Sequence, residues 1–158
     1  MLFSVLIGAL IFSNFVNRVG LPGALLELVT GYDLSPLMVL FVILLIYIVL
    51  GCIFESLSML LLTIPIFYPV VQGLGYAGMS GEQMLVWFGI ISVVVTEISL
   101  ITPPVGLNVF VLSAVLPDVS TVTVFKGVTP FWCVDIIRLL ILVLAPGYVL
   151  LLPNLLYH

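Results

Sequence analysis

From Pro36 to Gly51 the chain carries no charge, and Tyr47 is its only polar side chain. Trp132–Leu152 is apolar in the same way, broken only by Asp135 and Arg138. A segment apolar on every side has no face to offer water, so it belongs in lipid or deep in a large core. This chain is too short for the second. Charged residues make up 6% of it and hydrophobic residues 64%, against roughly a quarter charged in soluble domains. The composition excludes a soluble domain and identifies an integral membrane protein. A spanning β-barrel would alternate apolar and polar residues over segments of about 10; these runs stay apolar on both parities and are helical. At about 20 residues per span the length allows about five crossings.

The few polar features exclude further classes. The net charge of −4 comes from three basic and seven acidic residues, too few to define a charged partner, and no nucleic-acid partner is expected. Cys52 and Cys133 fall in apolar stretches without zinc-type spacing, so neither a disulfide nor a metal site is expected from them. The N-terminus has no basic region or small-residue cleavage site, so no removable signal is expected. The first apolar run, Met1 to about Val16, is slightly short for a span. That fits a natural beginning upstream or a short first helix.

Along the chain, a first helix is expected over about Leu2–Val16, stopped by Gly20 and Pro22, and then a short amphipathic or interfacial helix over Pro22–Val29. Ser35-Pro36 is an N-cap followed by proline at the first helical position. Pro36–Gln72 reads as two limbs meeting at a polar tip around Glu55–Ser58, either a re-entrant hairpin or a pair of crossings. Ser80-Gly81-Glu82-Gln83 fits a capping box. It opens a helix over about Glu82–Ile101, which stops at Pro103-Pro104 and resumes over Val105–Leu116. Residues 84–116 are thus a discontinuous helix. Thr129-Pro130 predicts the start of a last helix over 130–152. Residues 1–158 read as a single transmembrane domain, or part of one.

The two interruptions, Gly51-Cys52-Ile53-Phe54-Glu55-Ser56 and Thr102-Pro103-Pro104-Val105-Gly106, carry the functional reading. Irregular backbone at lipid depth survives only where protein or a polar cavity covers it, and paired broken helices mark transport sites. Adjacent prolines cannot donate to the preceding turn, so its carbonyls are freed. Gly106 allows a tight turn or a close approach. The Thr102 hydroxyl and Asn108 amide add oxygen, and a cluster of neutral oxygens suits sodium. The half-helix that follows presents a positive end suited to a carboxylate. The competing reading is a kink used only for packing. Ser56 and Ser58, beside the first break, are candidate oxygen ligands. Glu55 and Glu97 either face a cavity or a partner, or are neutral or tied to backbone amides at a break.

Other polar groups read as structural. Thr63 before Pro65 bonds back to its own helix, and Asp135 pairs with Arg138 three residues on. Trp87, Trp132, Tyr148 and Tyr157 resemble interfacial anchors, and His158 is a solvated end. Enzymatic readings fail. No buried histidine serves a serine nucleophile, Asp33, Asp118 and Asp135 do not pair for aspartyl chemistry, and no phosphate-binding loop supports nucleotide hydrolysis.

Leu50-Gly51-Cys52-Ile53-Phe54-Glu55-Ser56, then Leu61-Leu62-Thr63-Ile64-Pro65-Ile66 and Pro69, then Glu97-Ile98 and Thr102-Pro103-Pro104-Val105-Gly106-Leu107-Asn108-Val109-Phe110-Val111 carry a resemblance. So does the ending Phe125-Lys126-Gly127-Val128-Thr129-Pro130-Phe131-Trp132. Together they resemble the C-terminal part of the large membrane subunit of tripartite ATP-independent periplasmic (TRAP) transporters, over nearly the whole chain. The resemblance implies an all-α polytopic protein of the bacterial inner membrane, one inverted repeat of an elevator-type importer. It implies sodium as coupling ion and an organic acid substrate (C4-dicarboxylate, keto acid or sialic acid). The implied partners are a small membrane subunit, an extracytoplasmic solute-binding protein and the N-terminal half of the permease, which holds the first sodium site. In those terms Gly51–Pro65, within the hairpin region 36–72, is the second re-entrant hairpin and Thr102–Asn108 the unwound helix facing it. Gly51, Glu55, Ser56, Thr102, Gly106 and Asn108 would bind sodium, and Ser58, Pro103 and Pro104 would line the substrate cavity. The chain departs from the family at Glu55, where aspartate is common, and at Thr96 and Ser99-Leu100. The alternative function is a non-transporting membrane scaffold or assembly segment.

Overall fold

The computed structural model describes residues 2–103, 106–116 and 118–156; Pro104, Tyr157 and His158 lie outside them. Among the described residues every regular element is a helix: α1 (Leu2–Val19), α2 (Leu21–Gly31), α3 (Pro36–Gly51), α4 (Ser56–Leu74), α5 (Gly81–Ser99), α6 (Leu107–Val115), α7 (Thr121–Leu144) and α8 (Pro146–Leu156). Among the described residues α4, α5 and α7 are each long and apolar enough to cross a membrane, while α1 and α2, bent by 52°, reach that length only together, as a broken span or a re-entrant loop. At 16 residues, α3 is about 24 Å long, short of the roughly 30 Å hydrocarbon core.

Two helix starts follow their sequence signals. The Ser35 hydroxyl accepts from the Met38 amide at 3.3 Å. Ser80 and Gln83 form the reciprocal box, with Gln83 N–H on Ser80 Oγ at 3.3 Å and Ser80 N–H on Gln83 Oε1 at 3.0 Å.

α5 is the centre of the bundle and packs against α3, α4, α7 and α8. Met84, Trp87, Phe88, Ile91, Val95 and Ile98 recur along it every three or four residues and are all fully buried. Ser92, Thr96 and Ser99 are buried on it as well. Small hydroxyl residues suit a helix interface in lipid, because they allow close approach and can return their proton to the backbone. Thr96 does so to Ser92 O at 2.7 Å, and Ser99 to Thr96 O.

The C-terminal third departs from the expectation of one helix over 130–152. α7 begins nine residues earlier than Pro130, because Ser120 supplies a cap to the Thr123 amide at 3.2 Å. Pro130 is carried inside the helix, with the Thr129 hydroxyl bonded back to Phe125 O at 2.8 Å; Thr129 is not a cap. The chain breaks instead at Ala145-Pro146. Pro146 has no amide to give Leu142 O, and the Trp87 indole N–H takes that carbonyl at 2.9 Å. The Tyr76 hydroxyl takes the next one, Val143 O, at 3.1 Å. The Tyr76 and Trp87 rings stack with centroids 5.0 Å apart. Trp87 is therefore a core residue with no exposed surface, where the sequence pointed to an interfacial anchor. Tyr148 is exposed. Asp135 and Arg138 pair at 3.1 Å, and both cysteines are free thiols.

Candidate functional site

The first break follows from the end of α3. The Leu50 carbonyl accepts two amides, Ile53 at 2.9 Å and Phe54 at 2.8 Å, so the chain tightens and turns on that oxygen. Among the described residues no donor reaches the carbonyls of Gly51, Cys52, Ile53 and Phe54. Glu55 then caps α4: its carboxylate accepts from Leu57 N–H and Ser58 N–H, each at 3.1 Å, and from the Ser58 hydroxyl at 3.0 Å. Of the readings open for Glu55, the geometry is that of a carboxylate tied to backbone amides. The Ser58 hydroxyl proton is committed to it.

α4 folds back along α3. The Tyr47 hydroxyl lies 2.7 Å from Thr63 Oγ1, sixteen residues on, and the Tyr47 and Phe67 rings face each other at 5.8 Å. Thr63 also bonds back to Met59 O at 2.7 Å, as its place before Pro65 predicts. Residues 36–72 are thus a helical hairpin with an open polar tip.

The second break has the same character. After Ser99 the amides of Ile101 and Thr102 reach only three residues back, to Ile98 O and Ser99 O, each at 3.2 Å. The Asn108 amide spans the gap and closes on Leu100 O at 3.1 Å. Among the described residues the carbonyls of Ile101, Thr102 and Pro103 receive no donor. Gly106 sits in the left-handed region at φ 45°, where a side chain is strained, and an added Cβ would lie 3.1 Å from the Phe125 ring. The Thr102 hydroxyl donates to Ile98 O at 2.7 Å and accepts from Trp132 Nε1 at 2.9 Å. A cavity of about 230 Å³ opens beside it, lined by Ile101, Thr102, Pro103, Phe125, Thr129 and Trp132. The Asn108 side chain is exposed.

The hairpin and the broken helix meet. Gly51 lies so close to Ser99 that an added Cβ would overlap the serine's Cβ and Oγ. The last residue of α3 is thereby seated on the last residue of α5, with a break following directly on each. The Glu97 side chain is exposed and makes no hydrogen bond or ion pair among the described residues. Ser99 and Trp132 carry parts of this arrangement that were not foreseen as site residues. A glycine closing α3 and a small serine closing α5, each directly before a break, is the signal that could have found Ser99.

A family model, described as "Tripartite ATP-independent periplasmic transporter, DctM component", matches residues 1–148. The chain belongs to the TRAP transporter large permease family. It is 34% identical to the C4-dicarboxylate TRAP transporter large permease protein DctM of Pseudomonas aeruginosa, over 98% of this chain and 34% of that protein. It is 32% identical to the sialic acid TRAP transporter large permease protein SiaM of Vibrio cholerae, over 96% of this chain and 34% of that one. An isethionate TRAP transporter permease protein, DctMQ of Oleidesulfovibrio alaskensis, is 32% identical over 68% of this chain and 16% of its own length. The chain spans about a third of the length of the curated relatives first matched. No solved structure matches it significantly. With this family and its apolar helices, the chain is a multi-pass membrane protein of the TRAP large permease type.

The Glu55 cap carries a direct prediction. Glu55→Ala leaves the Leu57 and Ser58 amides without their acceptor, and their hydrogen exchange accelerates. Glu55→Asp, a favoured cap residue, keeps both protected. Equal exchange in the wild-type and alanine proteins would show that the cap does not hold the start of α4.

Proposed function

We propose that the chain is the C-terminal repeat of a sodium-coupled secondary importer of organic acids in a bacterial inner membrane. Its tip at Gly51–Ser58 and its loop at Thr102–Asn108 form one side of a sodium and substrate site. The observation that carries the reading is the contact of Gly51 with Ser99, which brings to neighbouring helix ends two runs of carbonyls that receive no donor among the described residues. Free main-chain oxygen at membrane depth is costly unless something coordinates it, and neutral oxygens fit a hard monovalent cation. α3 is too short to cross unaided and doubles back as α4, which favours a re-entrant hairpin over two crossings.

The relatives are named for C4-dicarboxylate, sialic acid and isethionate, all anions at neutral pH. An anion fits the positive end of α6 beside the proposed cation. Ser58, Pro103 and Pro104 would line the substrate's side of the site. Transport then needs the N-terminal half of the permease, a small membrane subunit and a solute-binding protein outside the membrane.

The test is thermal unfolding of the chain in lipid nanodiscs with sodium, potassium or choline as the only cation. Sodium is expected to raise the melting temperature above the other two, and Thr102→Ala and Asn108→Ala to reduce the rise. Identical melting in all three salts would overturn the sodium site and leave the scaffold reading.

A further inference from the structure

Thr102 has one proton and two lone pairs on its hydroxyl. The proton goes to Ile98 O at 2.7 Å and one lone pair takes the Trp132 indole N–H at 2.9 Å. A single acceptor site is left, and its direction is fixed by two bonds to two different helices. A threonine bonded only to its own helix would keep a second lone pair free and a softer orientation. Trp132 comes from α7, thirty residues on. The same α7 face carries Phe125, whose ring covers Gly106 at the other end of the loop. Phe125, Thr129 and Trp132 stand at four- and three-residue spacing, so one stripe of α7 braces the unwound segment at both ends. The 230 Å³ cavity between these side chains leaves room for the hydroxyl's remaining side to be approached.

We propose that Trp132 is a positioning residue for cation binding: its indole N–H holds the Thr102 hydroxyl with one lone pair aimed at the ion. The proposal rests on the sodium reading above. Trp132 does not touch the ion and acts through Thr102.

The chain has two tryptophans, so labelling with 5-fluorotryptophan gives two 19F resonances, assigned by the one that Trp132→Phe removes. In the wild-type chain the residue 132 resonance is expected to move on titration with sodium and not with potassium, while that of Trp87 stays in place. Trp132→Phe keeps the aromatic bulk and loses the donor. The sodium concentration giving half the thermal stabilisation is expected to rise about tenfold, the size of one well-placed hydrogen bond. An unchanged midpoint in Trp132→Phe beside a normal wild-type response overturns the positioning role and leaves the sodium site standing. No wild-type response to sodium overturns both. Should Trp132→Phe fail to fold, the wild-type 19F titration decides: a residue 132 resonance indifferent to sodium sinks the proposal.

Discussion

Gly51→Ala is expected to destabilise the chain by about 1–3 kcal/mol, the usual penalty for forcing a methyl into a filled contact. Helix propensity alone predicts the opposite sign, because alanine is favoured over glycine inside a helix by about 1 kcal/mol. The contact outweighs the propensity. The Ser99 hydroxyl can rotate away, but its Cβ cannot, so the new methyl separates the ends of α3 and α5. Ser99→Gly removes both colliding atoms, and the nearest remaining atom, Ser99 Cα, stands at an ordinary 3.6 Å. The double variant Gly51→Ala/Ser99→Gly should therefore recover most of the loss. The check is a double-mutant cycle of melting temperatures with sodium response measured beside it. An alanine variant as stable and as sodium-responsive as the parent would mean that the two breaks are not in contact.

Trp87→Ala is expected to cost more, about 3–5 kcal/mol for the buried volume of a large aromatic residue. It also strips the Leu142 carbonyl of its one donor, and Pro146 cannot replace it. Leaving such a group unpaired adds about 1–3 kcal/mol. Trp87→Phe separates the two effects, since the ring remains and only the N–H goes. Denaturant or thermal unfolding of the pair gives the ordering: alanine far below phenylalanine, phenylalanine measurably below wild type. A phenylalanine variant equal to wild type would show that the carbonyl at the end of α7 finds water or another donor.

Both breaks were legible because helix breakers and polar groups inside apolar runs are local signals. The helical bonds are lost after Gly51 and again after Ser99, where glycine, proline and hydroxyl residues interrupt the pattern. Ser35 and Ser80 were legible for the same reason, since a cap and its target amide lie within one turn. What lay outside the local pattern was misread. Thr129-Pro130 has the composition of a helix start, yet Ser120 offers an earlier cap and proline is tolerated in a helix whose neighbours cover the lost bond. Trp87 has the composition of an interfacial anchor. Its fate was set by a carbonyl fifty-five residues away, freed by a proline on another helix. At the site, oxygen-bearing residue types could be named from the sequence, but not which of their oxygens were already spent. Glu55 and Ser58 serve each other and α4, and Thr102 answers to Trp132. Such commitments depend on tertiary neighbours.

The bond from the Asn108 amide to the Leu100 carbonyl gives the second break the topology of a closed noose. With its neck tied, the start of α6 is held against the end of α5 whatever meets the carbonyls of Ile101 and Thr102. Cutting that one tie would turn a fixed joint into a hinge, and a guest on those carbonyls would then drag α6 along with it.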